Sequence, residues 1–163
     1  MHNIKRLLYI FSSILCLCCI FSSQAFAESK KFSTSDVEQF VTKAQVHISQ
    51  VGQEQAFKDF MNPNDKRFRD GALYVFAFDY NAVCLAHIKA AMVGSNMMNL
   101  KDPNGTPILQ GLIAAVKKDP NGGWTEYLWQ NPVTNKVEKK LSYVLKINDD
   151  YWIGAGLYES EKK

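Results

Sequence analysis

The sequence predicts an α+β fold in which an N-terminal helical region packs on an antiparallel sheet. Two observations carry this. Apolar residues recur at three- and four-residue steps over residues 33–61, the period of a helix with one buried stripe. From residue 72 onward the pattern changes to short runs dense in β-branched and aromatic residues, separated by Pro/Asn/Gly turns. The order read off the chain is helix, two strands, short helix, three strands.

The chain has 163 residues. Residues 1–27 read as a secretory signal peptide: Lys5 and Arg6 supply the positive start, Leu7 to Phe21 an apolar run, and Ala25-Phe26-Ala27 a small-x-small cleavage signature. The run falls short of the ~20 apolar residues that span a bilayer, so export to the periplasm or medium is expected, with an uncleaved anchor as the alternative. Residues 28–163 are then one domain, with a helical part at 33–61 and a sheet part at 72–158.

In the helical part, Val37, Phe40, Val41, Ala44, Ile48 and Val51 make the apolar stripe, and Ser35 with Glu38 fits a capping box. Gly52 either bends one helix or separates two, and Asn62-Pro63 ends the segment. Leu73 to Phe78 and Ala82 to Ala86 read as a hairpin. Residues 88–106 are irregular. Ile108, Leu109, Leu112, Ile113 and Val116 mark a short amphipathic helix. Strands are expected at Trp124 to Trp129, Lys139 to Ile147 and Tyr151 to Leu157. Asp-Pro-Asn-Gly occurs twice, at 102–105 and 119–122, as turn chemistry.

Charge and cysteine usage exclude several functions. With Lys5 and Arg6 subtracted from the 19 basic residues, 17 stand against 16 acidic ones. So even a balance offers no electrostatic basis for a nucleic-acid partner. Cys16, Cys18 and Cys19 lie in the leader, which leaves Cys84 alone and excludes an intramolecular disulfide, a thiolate zinc site or an iron–sulfur cluster. No metal or other cofactor is expected. No Gly-x-Ser-x-Gly elbow, phosphate loop or dinucleotide fingerprint is present. Cys84 and His87 differ by an odd step and are expected on opposite strand faces, with Cys84 as a small buried hydrophobe.

What remains is a polar and aromatic set in the strand region: Tyr74, Phe76, His87, Trp124, Tyr127, Trp129, Lys140, Tyr143 and Trp152. A pocket for a small anion wants such a mixture, namely a cation, hydroxyl or imidazole donors, and aromatic walls that exclude water. The same residues also suit a sheet core.

One ordered set of blocks runs through Gly52–Phe57, Phe68–Asp79, Leu85–His87, Val93–Asn96, Leu100–Gly105, Gly123–Tyr127, Asn131–Thr134, Lys140–Val144 and Tyr151–Tyr158. In these blocks the chain resembles the single Cache domain family, the extracytoplasmic sensing modules of bacterial chemoreceptors and sensor kinases. The resemblance implies a PAS-like fold, a long N-terminal helix on a five-stranded antiparallel sheet, with a pocket for short carboxylates such as acetate, propionate, lactate or pyruvate. It further implies that Lys140 pairs with a carboxylate, that His87 and Tyr127 donate hydrogen bonds, and that Tyr74, Phe76, Trp124 and Trp129 line the walls. Tyr143 belongs to the same block as Lys140, but strand alternation sets the two on opposite faces. The chain departs from the family in carrying Ile88 after His87 where proline is usual, and in lacking glycine in the Tyr80-Asn81-Ala82 turn.

An exported ligand-binding or sensory module that is not an enzyme is therefore expected. It would signal or deliver through a membrane receptor or transporter partner, with a homodimer through the N-terminal helix as a further expectation. The alternatives are a structural or interaction protein with a collapsed pocket and, less favoured, a hydrolase using His87.

Overall fold

The computed structural model describes residues 31–119 and 121–161. The expected signal peptide lies outside these residues. Helix α1 spans Thr34–Val51 and α2 spans Gln53–Met61. They are two helices because Gly52 sits between them at φ 80, outside the right-handed helical region, while its N–H still bonds the Ile48 carbonyl. The capping box is real but starts two residues earlier than expected. Ser33 rather than Ser35 is the N-cap, its Oγ accepting from Asp36 N–H while the Asp36 carboxylate accepts from Ser33 N–H. Both serines are followed at the right spacing by an acid, so spacing alone could not separate them. Phe32 decides the matter, because it is buried just ahead of the cap.

Seven strands follow: β1 (Arg69–Asp70), β2 (Leu73–Tyr74), β3 (Phe76–Asp79), β4 (Cys84–Ala86), β5 (Gly123–Gln130), β6 (Val137–Lys146) and β7 (Tyr151–Tyr158). The first two form a small ribbon. The other five make one antiparallel sheet in the order β4-β3-β7-β6-β5. Helix α3 (Ile108–Lys118) lies between β4 and β5 in sequence. The β3–β4 hairpin closes without glycine. Ala82 takes a positive φ of 61, and the Asp79 carboxylate accepts from the N–H groups of Asn81 and Val83 to hold the turn.

The sheet separates two apolar layers. On one face α1 and α2 cover Val75, Ala77, Ile153, Ala155 and Leu157 with Val37, Val41, Ala44, Phe57 and Phe60. On the other, α3 covers Tyr74, Phe76, Phe78, Tyr127 and Trp152 with Ile108, Leu109, Leu112 and Val116. Strand β7 is buried along its whole length, since both of its faces are covered. The two helices are also tied to each other: His47 Nε2 lies 2.7 Å from an Asp59 carboxylate oxygen, and Arg67 stands 3.7 Å from the same atom.

Replacing Ser33 by Ala is expected to lower stability by about 1 kcal/mol, the usual value of an N-cap, whereas Ser35→Ala leaves it nearly unchanged. Urea denaturation of both variants checks this, and equal losses would place the cap elsewhere.

Candidate functional site

Strand alternation sorts the candidate residues. In β6, Lys140, Ser142 and Val144 face α3, while Leu141, Tyr143 and Leu145 face α1. In β5, Tyr127 pairs with Lys140 and Trp129 with Glu138, so both share the Lys140 side. Five of the eight candidates, Tyr74, Phe76, His87, Tyr127 and Trp129, therefore gather with a sixth, Lys140, around one enclosed pocket.

The other two do not belong to it. Trp124 pairs with Tyr143 across the β5–β6 ladder, and their rings meet 5.2 Å apart on the α1 face. The Trp124 indole donates to Glu38 of α1, and the Tyr143 hydroxyl donates to the Asn121 carbonyl. Trp124 is an odd step from Tyr127, and Tyr143 an odd step from Lys140, so regular alternation puts both on the wrong face. Trp124 and Tyr143 are helix-packing residues rather than pocket walls. A further correction concerns Cys84 and His87. Both lie on the α3 side, because the register shift between Ala77 and Phe78 opposite β4 breaks the alternation. Cys84 is buried as expected, and burial pushes its thiol up to about 12.

At the centre stands Lys140, 1% exposed. Its ammonium lies 3.9 Å from the Tyr74 ring centroid, 5.2 Å from that of Tyr158 and 5.3 Å from that of Phe76. Three aromatic faces thus offer their negative quadrupoles to one cation. Room for its stem comes from Gly156 on β7. A Cβ there would stand 2.8 Å from Lys140 Cε, too close to be tolerated without displacement.

The surrounding polar groups are donors. Tyr127 and Ser142 share a hydroxyl–hydroxyl hydrogen bond of 3.0 Å. The Trp129 indole donates to the Tyr74 hydroxyl at 3.1 Å, and the same hydroxyl is hydrogen-bonded to Tyr158. Burial pushes Tyr74 up to about 12 and raises Tyr127 further, so both stay phenols at any physiological pH. His87 is buried and its Nδ1 accepts from the Lys89 backbone N–H at 3.0 Å. In the neutral ring this bond puts the proton on Nε2, which makes His87 a donor. Burial, aided by the charges of Lys140 and Lys89, pushes its pKa down to about 3. His87 is therefore an uncharged pocket-lining group, not a second cation. So low a pKa also makes it a feeble general base at neutral pH, which weakens the hydrolase alternative.

Residues that the sequence reading missed complete the pocket. Met92 and Leu100, from the irregular segment, close it together with Ile108, Leu109 and Leu112 of α3. Ser142 carried a signal, since it shares Lys140's parity on β6. The enclosed space is about 20 Å³, one or two waters' worth. Among the described residues, no group of three or more His, Cys, Asp or Glu side chains is placed to hold a metal ion. No helix among them is long and apolar enough to cross a membrane.

A five-stranded antiparallel sheet with α1 and α2 on one face and a pocket under α3 on the other is a PAS-like fold. The profile of Single Cache domain 2 matches residues 37–162, and the chain belongs to that family, the sensory domains of chemoreceptors and sensor kinases. Over 92 residues it is 35% identical to the sensor histidine kinase MctS of Rhizobium johnstonii, a match that covers 55% of this chain and 19% of the kinase. The chain thus spans about a fifth of that curated relative's length. A methyl-accepting chemotaxis protein from Vibrio parahaemolyticus has the same fold at a TM-score of 0.67 and 23% identity, over 76% of this chain and 86% of that one. A Cache chemosensory domain solved to explain carboxylic acid recognition matches at 0.59 and 23% identity, over 75% and 85% of the two chains.

The buried neutral His87 makes stability depend on pH. Because its pKa is depressed in the fold, the unfolded chain takes up the proton first. Stability is complete above pH 6.5, where the unfolded histidine titrates, and declines as pH falls toward 3. Between pH 7 and 5 this group alone should remove about 2 kcal/mol. Denaturant titrations at the two pH values check this: the wild-type loss should shrink in His87→Gln, and an undiminished loss would assign the effect to other groups.

Proposed function

We propose that the domain binds a short monocarboxylate in the pocket facing α3 and acts as an extracytoplasmic sensor through a membrane receptor or transporter partner. The observation that carries this reading is the buried ammonium of Lys140, set among donors and aromatic walls. Each group around it suits an anion: one oxygen would meet the Lys140 ammonium, while the Tyr127 hydroxyl and His87 Nε2–H would donate to the carboxylate. Tyr74, Phe76 and Trp129 would exclude water and so strengthen these bonds. The free space is small, so ligands of two or three carbons suit it better than longer ones. Recognition of carboxylic acids by a solved Cache domain of the same fold agrees with this choice. The reading takes the domain as exported and non-catalytic, and a homodimer through α1 would leave the pocket clear, since α1 lies on the other side of the sheet.

One observation favours a second reading. The free space beside Lys140 is only about 20 Å³, one or two waters' worth, so a pocket permanently filled by its own aromatic lining would make the domain an interaction module without a ligand. A thermal-shift screen of the exported domain against acetate, propionate, lactate and pyruvate separates the two. Ligand at 100 times its dissociation constant should stabilise the fold by ~2.7 kcal/mol, and no shift with any of them would favour the closed-pocket reading.

Lys140→Met keeps the apolar stem and deletes the charge. Carboxylate affinity should fall about a hundredfold, or roughly 2.8 kcal/mol at 1.4 kcal/mol per tenfold change. The neighbouring Lys139 is exposed, 3.6 Å from Glu126, and Lys139→Met should change affinity little. Calorimetric titration that finds equal affinities in the two variants would sink the assignment.

A further inference from the structure

A second cavity adjoins the pocket. It is a groove of about 200 Å³ between the irregular segment and the end of β5, lined by Lys89, Lys101, Asp102, Leu128, Trp129 and Gln130 among others. Two residues, Trp129 and Ile108, line both the groove and the inner pocket. Trp129 is half-buried and forms the partition. Its inner side meets the rings of Tyr127 and His87 at 6.2 and 6.3 Å, and its indole N–H holds Tyr74. On its outer side the Lys89 ammonium lies 5.8 Å from the ring centroid and donates to Gln130 Oε1 at 2.7 Å.

The charge of the groove is positive. Lys89 and Lys101 line it, and the one carboxylate present is already engaged: Asp102 accepts from the backbone N–H groups of Asn104, Thr106 and Leu128. Two lysines in a concave surface raise the local concentration of small anions, and concave low-dielectric walls strengthen that field. The inner pocket has free space for one or two waters, and Trp129 and Ile108 stand between it and the groove. Lys89 bridges the covering segment to β5 through a single side-chain hydrogen bond that an arriving anion can replace.

We propose that this groove is an access vestibule in which Lys89 and Lys101 hold a small organic anion before it passes Trp129 to Lys140. The proposal rests on the carboxylate reading of the inner pocket, but the groove can be tested by itself. Iodide, an anionic quencher, reports whether anions gather beside Trp129, and neutral acrylamide reports exposure alone. Trp124→Phe provides the background, because Trp124 lies on the α1 face and Trp152 is fully buried. In that background Lys89→Gln with Lys101→Gln should reduce iodide quenching several-fold and leave acrylamide quenching unchanged. Lys89→Arg with Lys101→Arg should retain the original iodide value. Unchanged iodide quenching in the glutamine variant, or an equal fall with acrylamide, would overturn the vestibule.

Stopped-flow mixing with acetate or propionate tests passage. The glutamine variant should associate several-fold more slowly at low ionic strength, an effect lost at high salt. An association rate equal to that of the parent would overturn the access role even if iodide gathers in the groove. If neither carboxylate binds the parent protein, the inner-pocket reading fails and the access role with it, while the iodide result still decides whether the groove collects anions.

Discussion

Withdrawing a lysine ammonium from water costs several kcal/mol unless the protein supplies compensating charge or polarisable surface, and the α3 side of this sheet is built around that constraint at Lys140. Tyr74, Phe76 and Tyr158 present ring faces to the cation. Gly156 leaves the space its stem occupies, and Gly154 does the same for the Phe76 ring, which an added Cβ would meet at 2.8 Å. These two glycines on β7 are why a strand buried at every position can still border a site and not merely a packed layer. Burial away from water also keeps His87 neutral, and the charges of Lys140 and Lys89 add to that effect.

The sheet is a single layer between this site and the two N-terminal helices, so neighbouring residues of one strand serve both. On β6, Lys140 lines the pocket and Ser142, on the same side, bonds the Tyr127 hydroxyl, while Leu141 and Tyr143 pack toward α1. On β5, Tyr127 and Trp129 face inward while Trp124 bonds Glu38 of α1. A shift of β5 or β6 on occupation of the pocket is therefore felt directly by α1. Under the proposed function, carboxylate binding on one face would reach α1 through these shared strands.

Much of this was legible in the residues. The helix periods and strands β5, β6 and β7 stand close to where the pattern places them, and α1 and α2 meet at the Gly52 that the sequence marks, whereas the run expected as one strand from Leu73 to Phe78 is divided between β2 and β3. The parity of Lys140 against Tyr143 was readable as well and proved right. Trp124 joins the expected walls only through the family resemblance, and its odd step from Tyr127 carries it to the α1 face. The cap at Ser33 escaped because Ser35 has an equally good partner by spacing, and only the burial of Phe32 separates them. His87 could not be placed by alternation, since the register shift in the β3–β4 pair leaves no trace in residue type. Met92 and Leu100 escaped for a related reason: an irregular segment has no period from which to read its inner side.

The account turns on where a carboxylate sits. The most direct measurement is a crystal structure of the exported protein grown with propionate. It should place the carboxylate about 2.7–2.9 Å from Lys140 Nζ, the distance of a charge-assisted bond, with further bonds from the Tyr127 hydroxyl and His87 Nε2. Propionate bound elsewhere, or a pocket that stays closed around Lys140 at saturating propionate, would contradict it.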